Sequence, residues 1–495
     1  MATADSGAAL HALASLISSG LPAPEGGARP LLEALFGGRY HKRYFEPTAV
    51  RDAYALATGD GSEGVPYAGL IHPDNPPSGP YGGTSVVWFP TKENGSLIGF
   101  VVGTRGLSPD EGILTRPGHR RRIAALRRYL SRIGVDACWT KPDPSALGVQ
   151  IPTVVRERFS EFDNAFRRYE REMYCIAKVP RETEPARKVV QAFFDLYAYE
   201  RNWKVLKECE KDYYGFLDEL RQDLFHAVTP EAVNELLRQR RFVVLQGPPG
   251  TGKTRMTEEV GDRFFAGRAM TIQFHPAVTY EDFVVGLSPD PKEGTLRFDV
   301  RRGWLLEAAR AARETPFLLV IDEINRADLG KVLGEAIYLF EAEEVGGPHA
   351  REVELPHAVD GERRFSIPEN LYVLATMNTA DRSIAAMDLA VRRRFAFVTI
   401  PPQRSVVADQ ALPLAVDIFD RLTDVFVEHA PDDALDLLPG HAYFLARSEA
   451  ELLKRFHYEL LPLLDEYLRQ GLLGPAGNEL HAVRDIVEDI VSTRG

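Results

Sequence analysis

The sequence predicts an α/β fold with a buried parallel sheet in its second half and a smaller α+β region in front of it. Three stretches carry that expectation: FVVLQGPPGTGKT at 242–254, PFLLVIDEINRADLG at 316–330 and ENLYVLATMN at 369–378. Each holds an apolar run without polar alternation, as in strands buried on both faces between helices. Each run ends in glycines, acids or an amide, and acids at the end of a buried strand are costly unless they are used.

The elements follow in chain order. Residues 1–40 read as one weak helix and a Gly/Pro-rich lead-in. TSVVWFP (84–90) and SLIGFVVGT (96–104) are β-branched and aromatic runs around TKENG, which predicts a hairpin. GHRRRIAALRRYLSRIG then places apolar residues at 123, 126, 130 and 133, the spacing of a helix. Residues 1–155 are therefore expected to form a small α+β domain. Residues 156–225 are dense in charge and aromatics and read as a helical linker. Thr229, Pro230 and Glu231 then cap a helix that runs into the strand FVVLQ. The core is expected over 226–402, followed by a helical lid over 403–495.

Composition sets outer limits. The chain has 495 residues, 44% hydrophobic and 26% charged, enough for more than one core. Cys138, Cys175 and Cys209 are widely spaced, lack CxxC or His partners and read as reduced bystanders. The start lacks a basic segment followed by a long apolar run, and no 18-residue apolar stretch occurs, so a cytoplasmic protein off the membrane is expected. The net charge of −12 is uneven: residues 1–240 carry 31 Lys+Arg against 30 Asp+Glu, and the remainder 28 against 41. That asymmetry points any polyanionic partner toward the first half.

GPPGTGKT sits between a strand and a helix, the context a phosphate-binding loop requires. Gly247, Pro248, Pro249, Gly250, Thr251, Gly252, Lys253 and Thr254 would cradle the phosphates, with Lys253 on the β/γ oxygens and Thr254 on Mg²⁺. Asp322 fits the residue that holds Mg²⁺ through water and Glu323 the base that polarises the attacking water. Asn378, at a strand tip, could position that water. The run Arg392, Arg393, Arg394 has little use within one such core, but a neighbouring subunit's phosphate needs a cation, and arginine fingers supplied in trans are worth roughly 10³–10⁵ in rate.

At this point the chain resembles a known family. LQGPPGTGKT, TIQFHPAVTYEDFVVGLSP (271–289), LLVIDEINRADLGKVLGEAIYLFE (318–341), ENLYVLATMNTADRSIAAMDLAVRRRF (369–395), LLPGHAYFL (437–445) and LLPLLDEYL (460–468) are similar, in the same order, to the AAA+ motor subunit of McrBC-type, modification-dependent restriction systems. The resemblance covers about 225–475. It implies an AAA+ P-loop NTPase core with a carboxy-terminal helical lid, a hexameric ring, Mg²⁺, GTP as the preferred substrate and a separate McrC-like nuclease partner. It places Lys253, Thr254, Asp322 and Glu323 at the phosphate, magnesium and catalytic positions, Asn378 at sensor 1, and Arg393 and Arg394 at the trans-acting arginines. Asn325, Asp381 and Arg382 fall in signature loops that couple water activation to ring and nuclease contacts. His441 and Tyr443 fall in the lid motif. No NKxD base-reading motif precedes or follows the P-loop, so ATP stays open beside GTP.

The resemblance does not assign the first half. Arg105, Arg116, Arg120, Arg121, Arg122, Arg127, Arg128 and Arg132 put eight arginines within 28 residues, a field suited to DNA phosphates. Trp88, Phe89, Phe100 and Trp139 could stack on a base, as a reader of modified DNA requires. A solvated basic helix face and core aromatics account for the same letters. No nuclease signature is found, since RER replaces the Glu-x-Lys that would follow the Pro-Asp at 142–143. A MoxR-like remodelling chaperone, or a defence protein whose first half binds proteins, would use the same core.

Overall fold

The computed structural model describes residues 6–21, 27–36, 43–45, 49–52, 64–76, 79–135, 137–290, 297–347, 349–380 and 389–494. The chain divides into two compact units, Met1–Phe225 with Val427–His429, and His226–Phe426 with Ala430–Gly495.

The first unit is built on six antiparallel strands: β1 (Ala49–Asp52), β2 (Ala68–Ile71), β3 (Thr84–Pro90), β4 (Ser96–Val102), β5 (Cys138–Thr140) and β6 (Met173–Lys178), in the order β1-β2-β3-β4-β6-β5. The TKENG turn joins β3 to β4, with Thr84 opposite Val102 and Pro90 opposite Ser96. Successive residues of β3 point to opposite faces, and both faces are covered. Val86 and Trp88 pack with the helices Ser6–Ser19 and Thr183–Glu200, while Val87 and Phe89 pack with Ile151, Phe159, Phe162 and Phe166. Hence the strand is buried along its whole length rather than alternating.

The expected helical linker over 156–225 is corrected here. β6 lies inside the sheet between β4 and β5, and helix Thr183–Glu200 buries Val189, Val190, Phe193, Phe194 and Leu196 in the same core. The run MYCIAK alternates no polarity because both its faces are covered, so a six-residue strand was hidden among helical charge patterns.

The second unit holds a five-stranded parallel sheet of β7 (Phe242–Gly247), β8 (Ala269–Gln273), β11 (Phe317–Asp322), β14 (Leu371–Asn378) and β15 (Ala396–Thr399), in the order β15-β7-β14-β11-β8. Phe242, Val244, Leu319, Ile321, Val373 and Ala375 enter one core layer, and Val243, Leu245, Leu318, Val320 and Leu374 the other. Two antiparallel hairpins interrupt the core, β9 (Val285–Asp290) with β10 (Arg297–Arg302), and β12 (Val353–Val359) with β13 (Glu362–Phe365). The second turns at Asp360 (φ 55°) and Gly361 (φ 90°), the Asp-Gly signal of a tight hairpin. From Arg404 onward the unit is helical. No helix among the described residues is long and apolar enough to cross a membrane.

Candidate active site

β7 ends at Gly247, and PPGTG leads into helix Lys253–Phe264. Gly252 precedes that helix in the left-handed region (φ 79°, ψ 20°), where an L side chain is strained. The Lys253 ammonium folds onto the loop, donating to the Gly247 carbonyl at 2.9 Å and the Pro248 carbonyl at 2.7 Å. Burial pushes it down to about 8, against the opposing pull of Glu323 and Asp322. A partly desolvated cation beside a helix N-terminus suits phosphate oxygens.

Sheet register assembles the rest. β14 lies between β7 and β11, with Asn378 opposite Gly247 and Ala375 opposite Ile321. The next residues along, Thr376 and Asp322, therefore adjoin at the carboxyl edge of the sheet. The Thr376 hydroxyl donates to Asp322 Oδ1 at 2.5 Å, and the Thr254 hydroxyl donates to the same oxygen at 3.3 Å. The Glu323 N–H donates to Thr376 Oγ1 at 3.1 Å. Glu323 itself is left-handed (φ 55°, ψ 47°), which is uncommon for a residue with a Cβ. Its Oε2 is buried without a hydrogen bond and lies 3.5 Å from Arg326 Nε. Asn325 donates from Nδ2 to the Asn378 carbonyl at 3.3 Å, and its Oδ1 is buried without a hydrogen-bond partner. Asn378 Oδ1 accepts the Ala380 N–H at 3.2 Å.

The Thr254 hydroxyl and Asp322 carboxylate are oxygen donors of the kind Mg²⁺ takes, and no group of three or more His, Cys, Asp or Glu side chains suits a metal among the described residues. A cation that keeps waters and phosphate oxygens as its remaining ligands fits so sparse a donor set.

Residues 440–443 lie directly on the phosphate-binding loop. The Gly440 N–H donates to the Pro249 carbonyl and the Ala442 N–H to the Gly250 carbonyl, each at 3.0 Å. A Cβ on Gly440 would come within 2.1 Å of the Gly250 backbone, so only glycine fits there. Tyr443 packs near Gly250 and His441 near Gly252. Burial, then the nearby Arg255 charge, push the His441 imidazole down to about 4, so it is neutral at physiological pH.

The three arginines separate. Arg392 is exposed with its guanidinium 4.5 Å from the Phe397 ring centroid. Arg393 is exposed and has no ion pair among the described residues. The Arg394 side chain is 8% exposed, donates to the Ala390 carbonyl at 2.6 Å and lies 3.4 Å from Glu341, so it is engaged within its own unit. Asp381 and Arg382 lie outside the described residues, as does Asp388.

The arginine field of the first unit is split: Arg121 and Arg122, expected on a DNA surface, are buried, whereas Arg105, Arg127, Arg128 and Arg132 are exposed. Helix Pro117–Arg132 buries Ile123, Leu126 and Leu130 as the spacing predicts, but also Arg121 and Arg122, 7% and 4% exposed. Arg122 donates to both Glu200 oxygens at 2.7 and 2.9 Å, Arg116 reaches Glu200 at 2.8 Å, and His119 lies 3.0 Å from the same carboxylate. Burial opposes ionisation of Glu200, but Arg122 and His119 outweigh it and hold the carboxyl well below its usual range. Arg120 is half-buried, while Arg127 and Arg128 are exposed, Arg128 donating to the Asp223 carbonyl at 2.8 Å. Trp88, Phe89 and Phe100 are core residues, 0%, 4% and 1% exposed, and cannot stack on a base; Trp139 is half-buried.

Two site features were missed in the sequence. Thr376 follows LYVLA and precedes Met377, and a small polar side chain inside a buried strand was the signal. Gly440 stood within LLPGHAYFL, yet nothing local says which backbone it approaches.

Residues 242–395 match the family model described as AAA domain (dynein-related subfamily). Over 194 residues, 38% of this chain, the sequence is 38% identical to the type IV methyl-directed restriction enzyme EcoKMcrB subunit of Escherichia coli (strain K12), of which 41% is covered. Over 31% of this chain it is 25% identical to the type II restriction enzyme BsuMI component YdiS of Bacillus subtilis (strain 168), of which 55% is covered. The chain thus spans about half the length of the curated relatives it matches.

Proposed function

From the premise that this chain carries an McrB-like AAA+ region, we propose that it is a ring-forming GTP or ATP hydrolase, the motor of a DNA restriction or antiviral defence system that works with a separate McrC-like nuclease. The observation that carries the hydrolytic reading is the convergence of Lys253, Thr254, Asp322, Glu323 and Asn378 at the carboxyl edge of β7, β14 and β11. Lys253 and the loop N–H groups bind the triphosphate. Thr254 and Asp322 would hold Mg²⁺, which supplies charge neutralisation on the phosphates when bound. Glu323 takes the proton of the attacking water, and its unbonded buried Oε2 supports that role. Asn378 orients the water, and Arg393 reaches the phosphate of the next subunit.

Relatives named as methyl-directed and type II restriction components support DNA as the target. One observation favours a second reading, a MoxR-like remodeller of protein partners: the pairing of buried Arg122 and half-buried Arg116 with Glu200 takes part of the expected phosphate surface. The deciding experiment is steady-state hydrolysis of GTP and ATP with and without an McrC-like partner protein. Stimulated GTP turnover is expected. ATP turnover indifferent to that partner would transfer the assignment to the remodeller.

A further inference from the structure

We propose that Thr376 is a positioning residue of the hydrolytic site, one hydroxyl that sets the orientation of both Asp322 and Glu323. The inference rests on the hydrolytic reading above and concerns a residue that reading does not use. Thr376 is 2% exposed, at the end of an apolar run on β14. A buried hydroxyl left unbonded is costly, so its presence there calls for partners. It has two: it donates to Asp322 Oδ1 at 2.5 Å and accepts the Glu323 N–H at 3.1 Å.

The first bond fixes the rotation of the carboxylate that also accepts from Thr254. The second secures the N–H of a residue in the left-handed region, a conformation that persists only where its surroundings impose it. The magnesium-side carboxylate and the candidate base are therefore tied to each other through a neighbouring strand. Parallel pairing of Ile321 with Ala375 brings the three groups together, so no local feature of the IDEIN segment alone could produce the arrangement.

The test uses the full chain as Thr376→Val, which keeps the branched shape and removes both bonds, and Thr376→Ser, which keeps them. Thr376→Ala replaces the valine variant if that one does not fold, as judged by melting temperature. Hydrolysis is measured with GTP and ATP, and affinity with N-methylanthraniloyl derivatives of both nucleotides, with and without Mg²⁺. Expected for valine are a kcat lower by roughly 10–100-fold, unchanged affinity without Mg²⁺ and a diminished gain in affinity on adding it, with serine near wild type. Equal impairment of valine and serine, or a valine variant with wild-type kcat and Mg²⁺ gain, overturns the proposal. If the wild type hydrolyses neither nucleotide, the hydrolytic reading fails, and the Mg²⁺-dependent binding arm still decides the role of Thr376.

Discussion

Arg393 and Arg394 are adjacent letters with different fates. Arg394 is turned into its own unit against Glu341 and the Ala390 carbonyl, whereas Arg393 is exposed. Arg394→Ala is therefore expected to lower the melting temperature, because it opens a packed site and removes one of the two arginines beside Glu341, the other being Arg351 at 3.6 Å, while Arg393→Ala leaves the melting temperature unchanged and abolishes turnover. Subunits with Arg393→Ala retain an intact phosphate loop, and Lys253→Ala subunits retain the finger. Mixing the two inactive proteins should restore part of the hydrolysis, since some interfaces then join a good loop to a good arginine. Rings that form at every ratio without recovering activity would remove Arg393 from that role. The triplet could be read in the sequence as a group; that Arg392 and Arg393 are exposed and Arg394 is not could not, because helix Leu389–Arg392 ends within it and redirects each side chain.

At the level of elements, the helix Pro117–Arg132 shows how charge density misleads. Its basic letters describe a DNA-facing surface equally well as a buried ion network, and the acid that decides between them, Glu200, is 78 residues from Arg122 in sequence. Breaking a buried pair by removing one partner costs about 3–5 kcal/mol. Chemical unfolding of Arg122→Met or Glu200→Gln should show a loss of that order in the first unit, against little change for Arg127→Ala. Glu200 also fixes a pH dependence. Its folded carboxyl lies below the ordinary value of 4.5, so its contribution is present above that pH and is lost as acid carries the protein below it. In Glu200→Gln that part of the acid-induced decline should vanish. A wild-type profile in the variant would mean that the network is energetically idle. The hairpins were missed for another reason: VGLSPD and RFDVRR carry few β-branched residues, although the Asp360-Gly361 turn was legible.

For the whole molecule, the expected ring makes nucleotide occupancy and assembly one equilibrium. The segment 440–443 is hydrogen-bonded to the phosphate loop through Gly440 and Ala442, so the helical region touches that loop directly. Glu323→Gln should bind nucleotide, turn over at least about 100-fold more slowly, and accumulate as the ring when GTP or ATP is added with Mg²⁺. Mass photometry or sedimentation velocity would read the assembly. Monomer at saturating nucleotide, with hydrolysis at the wild-type rate, would contradict both the base assignment and the coupling. The sequence by itself determined the parallel core and which residues stand at its edge, because apolar runs buried on both faces and a glycine loop between strand and helix are local patterns. Only the tertiary structure decided what joins them. The bond from Thr376 to Asp322, the approach of Gly440 to Gly250 and the capture of Arg122 by Glu200 link residues 54, 190 and 78 positions apart, and such pairings are set by sheet register and packing rather than by neighbouring letters.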